Sequence, residues 1–166
     1  TGQAEARRED RQVLVFEVRL VEAGCWCAGC GCAGRSRGSR SRLLTHCPNG
    51  TRPVKLFVRL RRYACADCGT YWSEQVPETL AAPGSKLTVA AVNWALVAVV
   101  LDGMSINAAA RNLGAAWNTV NEAVLEAGYT HLISDPTRFD GVKTIGVDEH
   151  CWRHVGWRSD RFVTVI

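Results

Sequence analysis

The chain has 166 residues, of which 47% are hydrophobic and 22% charged, with a formal net charge of +4. That composition fits a globular protein and excludes a disordered one, and the length holds one ordinary domain or two to three small ones. Residues 1–11 are polar and carry no apolar run, so they do not read as a signal peptide, and the most apolar stretch, residues 87–101, falls short of the roughly 20 residues of a membrane span.

The net charge conceals an asymmetry. Between residues 23 and 66 stand nine basic residues (Arg35, Arg37, Arg40, Arg42, Arg52, Lys55, Arg59, Arg61 and Arg62) and no acidic one, whereas after residue 80 there are seven basic and eight acidic. A basic block of this kind suits a polyanion such as DNA or RNA; a solvated surface is the bland alternative. The chain opens on Thr1 and its single methionine is Met104, which suits a piece of a longer protein.

Residues 13–21 read as a strand with Glu17 and Arg19 on one face. A Cys- and Gly-rich patch follows over 24–34, and the Ser/Arg/Gly stretch 35–42 reads as a mobile loop. Residues 54–61 alternate, with Val54, Leu56, Val58 and Leu60 on one face and Lys55, Arg59 and Arg61 on the other, so this strand is expected to carry basic charge to solvent. Residues 70–73 read as a short returning strand. Pro77 and Ala81-Ala82-Pro83-Gly84 mark a boundary, after which the period changes from two to about 3.6. Ser85 is expected to cap a helix running to Leu101, Ser105 a second helix over 106–112, and a third runs from Trp117 to about Gly128.

The eight cysteines include two units of one pattern, Cys27-Ala28-Gly29-Cys30-Gly31 and Cys65-Ala66-Asp67-Cys68-Gly69. A metal knuckle folds its backbone tightly round the ion, and the glycine after each pair tolerates the positive φ this needs. Cys27, Cys30, Cys65 and Cys68 together make the four thiolates of a closed, structural Zn²⁺ site. Cys25 and Cys32 flank the first knuckle and leave the choice of ligands open, His46 and Cys47 are further competitors, and redox-active or free pairs are the alternative to a metal.

The second and third helices, separated by Leu113-Gly114-Ala115-Ala116, form a helix-turn-helix pattern with Ile106, Leu113, Val120 and Val124 as core. Its reading helix would present Trp117, Asn118, Thr119 and then Asn121 to base edges or phosphates. A three-helix bundle without a nucleic-acid partner is the alternative. The segment has Arg111 as its only arginine, so phosphate affinity is assigned mostly to the cysteine-rich module through Lys55, Arg59, Arg61 and Arg62.

Ile145-Gly146-Val147-Asp148-Glu149 places an acid after an apolar run. Phosphoryl-transfer enzymes hold Mg²⁺ on strand-borne carboxylates of this kind, although alone the pattern is more often a solvated strand end. His150, Cys151 and His154, with Trp152 and Trp157 alternating nearby, read as a hairpin face, a second metal site being the alternative.

In chain order these modules resemble the N-terminal part of bacterial insertion-sequence transposases of the ISL-three type. The residues that carry the resemblance are Cys27-x-x-Cys30-Gly31, Leu60-Arg61-Arg62-Tyr63-x-Cys65-x-x-Cys68-Gly69, Ala116-Trp117-Asn118-Thr119-Val120, Asp135-Pro136-x-Arg138-Phe139-Asp140-Gly141, Ile145-Gly146-Val147-Asp148-Glu149-His150-x-Trp152-Arg153-His154 and Phe162-Val163-Thr164-Val165-Ile166. The resemblance implies an α+β, multi-module fold: a disordered 1–11, a zinc-ribbon-like β module over 12–80, a helix-turn-helix bundle over 84–131, a linker over 132–142, and the first β-hairpin of a truncated, RNase H-like DDE domain over 143–166. It implies that Asp148 stands where the family has its first catalytic aspartate, binding Mg²⁺ or Mn²⁺ in the complete parent enzyme. The later Asp and Glu are not assigned in this sequence, so the chain alone is expected to be inactive. The implied partner is double-stranded DNA at transposon terminal inverted repeats, with a homo-oligomer compatible, no membrane, and a cytoplasmic, nucleoid-associated setting. A zinc-ribbon and helix-turn-helix transcription regulator is the rival reading, and a protein-interaction zinc module a third.

Overall fold

The computed structural model describes residues 12–21, 24–151 and 162–165, the side chains of 148–151 and 162–165 excepted. The disorder expected for 1–11 and the expectations for Trp152, His154 and Trp157 fall outside the described residues.

The frame is a mixed sheet built on one long hairpin. Strand β2 (Gly34–Asn49) turns at Gly50, whose φ is 58°, into β3 (Arg52–Cys65). The two pair antiparallel from Gly34↔Cys65 to Asn49↔Arg52. On the other side of β3, β1 (Leu14–Arg19) pairs parallel along Val54 to Arg59, and β4 (Tyr71–Ser73) pairs antiparallel along Arg62 to Ala64. The alternation expected in β3 is present: Val54, Val58 and Leu60 are buried and Arg59 is exposed. Leu44, Val58, Leu60, Val76 and Ala81 form the core under this sheet.

The loop expected over 35–42 is instead part of β2. Its Arg/Ser alternation holds no hydrophobic signal, but β3 offers a continuous row of backbone partners, and pairing settles the conformation. Gly38 has φ 82° and lies in an irregularity between Ser36 and Ser39, where the register shifts.

Three helices follow: α1 (Val89–Val100), α2 (Ile106–Leu113) and α3 (Trp117–Gly128), the last running into one π turn, Tyr129–Ile133. The cap of α1 is Thr88 rather than Ser85. Thr88 Oγ1 accepts from the Ala91 N–H at 3.1 Å, while Leu87 is held extended in a parallel bridge to Thr45. Ser85 Oγ is occupied locally, accepting from the Leu87 N–H at 3.1 Å. Helix α1 buries Ala91, Ala95 and Ala98, a row of small residues that lets its neighbours approach. Ser105 caps α2 and Gly114 ends it with φ 60°, as the sequence indicates. Leu87, Ala91, Ala95, Ala109, Ala110, Leu113, Val120 and Val124 make the helical core, with Ile106 packed against it. The helices pack on one another, α1 also on β2, and α2 on both β2 and β3. Among the described residues no helix is long and apolar enough to cross a membrane.

The final pair, β5 (Asp148–Cys151) and β6 (Phe162–Val165), is antiparallel, with Asp148 opposite Val165. The strand expected to lead into Asp148 is shifted: Asp148 opens it. Residues 142–147 are outside any strand, and Ile145 and Val147 are exposed.

Candidate metal centre

The first cysteine pair lies in the turn between β1 and β2, the second at the end of β3. The backbone brings them together because Gly34, just past the first pair, is the register partner of Cys65. Each knuckle closes on itself. The Gly31 N–H donates to the Cys27 carbonyl at 2.8 Å and the Cys65 N–H to the Thr70 carbonyl at 2.8 Å. The glycines after the pairs, Gly31 and Gly69, have φ of 72° and 73°, which is the left-handed backbone their presence in the sequence indicates.

The ligand atoms of Cys27, Cys30, Cys65 and Cys68 all lie within 4.8 Å of one another, so this group is able to hold a metal ion. Cys27 Sγ is 3.5 Å from Cys68 Sγ and Cys30 Sγ is 3.4 Å from Cys65 Sγ. A tetrahedral thiolate site with metal–sulfur bonds of about 2.3 Å has sulfur–sulfur edges of about 3.8 Å, so an ion fits after a small outward movement of these two pairs. Cys27 and Cys65 are buried while Cys30 and Cys68 face solvent. Cys25, Cys32, His46 and Cys47 stand outside the four-sulfur group. His46 Nδ1 pairs instead with Thr88 Oγ1 at 2.9 Å.

The thiols are electrostatically unequal. The Thr70 hydroxyl and backbone N–H, with Cys27 and Cys30, lower Cys68 from 9.0 to about 6. Cys30 is raised: the Cys32 N–H pulls it down, but hydrogen bonding to Cys65 and Cys68 outweighs that. Cys68 is therefore far more acidic than Cys30, and a metal binding the thiolates would expel thiol protons.

An aromatic clamp supports the first knuckle. Trp72 stacks on Tyr63 with ring centroids 5.6 Å apart, and its Nε1–H donates to the Gly24 carbonyl at 2.8 Å. The Trp72 ring crosses Gly34 so closely that a Cβ there would lie 2.3 Å from Cη2.

No family model, curated protein or solved structure matches the chain.

The residues expected to meet a polyanion are distributed unevenly. Lys55 is half-buried, its pKa lowered by burial, and Nζ donates to Thr45 Oγ1 at 2.6 Å and to the Gly114 carbonyl at 2.7 Å. Arg59 pairs with Glu17 at 2.8 Å on the surface. Arg61 pairs with the buried Glu74 at 2.7 Å and also reaches the Leu20 carbonyl at 3.1 Å. Of the charge that β3 was expected to carry in part to solvent, Lys55 and Arg61 instead tie the fold together. Arg62 is exposed.

On α3, Trp117 and Asn118 are exposed at the helix start, and Asn121 is half-buried. Thr119 lines a cleft with Lys86, Asn93, Glu122, Glu126 and His131, where the two carboxylates disfavour phosphate. Asp148 is placed at the start of β5, with its side chain outside the described set. Arg37, part of the basic block, lines one groove with Arg62, Tyr63, Tyr71, Trp72 and Ser73. The Tyr71-Trp72 pair is the sequence signal for this groove, and it becomes visible only with 35–42 in strand β2.

Proposed function

We propose that this chain is the DNA-recognition part of an insertion-sequence transposase, with Cys27, Cys30, Cys65 and Cys68 closing round a structural Zn²⁺. The observation that carries the reading is that a four-cysteine group and three helices share one mixed sheet, with Trp117 and Asn118 exposed at the start of the third helix. Four sulfur donors favour a soft or borderline ion and provide no open position for catalysis, which suits zinc as a folding element. Duplex DNA is the partner, read by Trp117 and Asn118 with phosphate contacts from exposed arginines. In the complete enzyme Asp148 would be the first of the carboxylates that hold divalent metal for strand cleavage and joining.

The test is selection of preferred duplexes from a random library, then titration of wild type, Trp117→Ala and Asn118→Ala. Losing one base contact costs about 1–3 kcal/mol, so a loss of roughly ten-fold on the selected site is expected, with non-specific duplex affinity kept. Unchanged affinity in both variants removes α3 from the interface. About one zinc per chain is expected from four ligands; a folded, reduced and metal-free protein overturns the zinc assignment. Mg²⁺-dependent nicking by this chain that survives Asp148→Ala would sink the role given to that residue.

A further inference from the structure

The groove where β2, β3 and β4 meet is separate from α3 and has its own chemistry. It encloses about 520 Å³ and is lined by Arg37, Arg62, Tyr63, Tyr71, Trp72 and Ser73. We infer that this groove binds an unpaired stretch of DNA strand, with Arg37 and Arg62 on the phosphates and Tyr71 stacked on a base.

Register places these groups together. Tyr71 lies opposite Ala64 on β3, and Ala64 lies opposite Arg35 on β2. One row across three strands therefore runs Arg35, Ala64, Tyr71. The next row on the same face contains Arg62, opposite Ser73. Diagonal neighbours two residues apart on one face are within reach of long and aromatic side chains. Arg37 joins them through the irregularity between Ser36 and Ser39, since an extra residue in a strand re-aims its side chain. Among the described residues neither Arg37 nor Arg62 has an ion-pair partner, in contrast to Arg59 and Arg61.

The aromatic groups divide into fixed and available. Trp72, one residue along β4, turns to the opposite face, where the Tyr63 ring and the Gly24 carbonyl hold it. Tyr71 is 74% exposed. An aromatic face beside two unpaired guanidinium groups is the pairing that single-strand binders use, phosphate attraction with base stacking. The faces of bases in a duplex are covered by their neighbours, so Tyr71 selects an unpaired strand. The volume lies within the range of about 300–1,000 Å³ that small ligands occupy, enough for one nucleotide with its phosphate.

This inference borrows only the DNA partner from the preceding reading and uses none of its residues on α3. The experiment is titration of the full metal-loaded chain with a fluorescent 12-nucleotide single strand and, separately, with its duplex. Tyr71→Ala is expected to weaken the single-strand complex about ten-fold or more, from the usual contribution of one stacked base. Tyr71→Phe should restore it, and duplex affinity should hold. Arg37→Ala and Arg62→Ala should each lower the salt slope on the single strand by about 0.7. Wild-type single-strand affinity in Tyr71→Ala, or equal losses on single strand and duplex, overturns the groove as a strand site. Failure of the groove with duplex affinity intact leaves the α3 reading standing; loss of duplex recognition with the groove intact sinks that reading alone.

Discussion

Lys55 Nζ donates to the carbonyl oxygen of Gly114 at 2.7 Å, joining the first part of β3 to the turn between α2 and α3. The same ammonium donates to Thr45 Oγ1 at 2.6 Å on the neighbouring strand. The carbonyl left over at a helix C-terminus thus finds a cation, which satisfies both its hydrogen bond and the helix dipole. The turn also meets β3 sterically, because a Cβ on Gly114 would lie 2.9 Å from Cβ of Pro53.

Lys55→Met keeps the aliphatic bulk and removes both hydrogen bonds. Charged hydrogen bonds contribute about 1.5–3 kcal/mol, and a loss in that range is expected in urea unfolding. Gly114→Ala should cost at least about 1–2 kcal/mol, since alanine must take a left-handed backbone and push on Pro53. A Lys55→Met protein as stable as wild type, but weaker on DNA at low salt, would return Lys55 to the polyanion interface.

Arg61 gives the sharper case. Glu74 is almost fully buried and accepts the Arg61 backbone N–H at 2.8 Å and Nε–H at 2.7 Å. Removing one partner strands the other charge, so Arg61→Ala is expected to cost about 3–5 kcal/mol, and Glu74→Ala a similar amount. Arg59→Ala, which breaks the exposed pair with Glu17, should cost about 0–1 kcal/mol. Equal small effects at Arg59 and Arg61 would show that the Arg61 guanidinium is not structural.

Gly34→Ala tests the aromatic clamp. The added methyl would meet Trp72 at 2.3 Å, and that ring is held by both Tyr63 and the Gly24 carbonyl. Overpacking of this kind costs about 1–3 kcal/mol, and a red shift in tryptophan emission should accompany it as the ring is displaced. An unshifted spectrum with wild-type stability would mean that the clamp yields freely.

The features legible in the sequence are those set by neighbours along the chain. Ser105 three residues before Ala108, Gly114 after Leu113, and the glycine after each cysteine pair are local geometric requirements, and each is met. What was not legible depends on distant partners. Residues 35–42 form strand because β3 lies beside them, and Thr88 displaces Ser85 as a cap because Thr45 draws Leu87 into a bridge. The division of the basic residues into structural and exposed ones likewise follows from where Glu17, Glu74 and Gly114 arrive in the fold. Charge alternation along β3 cannot reveal this. At Asp148 the apolar run was legible, but not that the strand begins at Asp148 itself, since strand limits depend on a partner that the run does not show.

The cysteine centre can be tested by its unequal thiols. In metal-free, reduced protein at pH 7, Cys68 lies above its pKa of about 6 and is mostly thiolate, whereas Cys30 is raised and stays protonated. Iodoacetamide, which reacts with thiolate, should therefore label Cys68 before Cys30, as mapped by mass spectrometry. Lowering the pH to 5 puts Cys68 on the protonated side of its titration and should slow its labelling about ten-fold or more, from the thiolate fraction expected for that pKa. Metal must displace these protons, so bound metal should protect all four cysteines at pH 7 and be released as the pH falls, with protection lost on adding a chelator. The control is Cys47, outside the four-sulfur group, whose labelling should not respond to metal. Labelling of Cys27, Cys30, Cys65 and Cys68 that is indifferent to added metal would refute a metal centre at these residues.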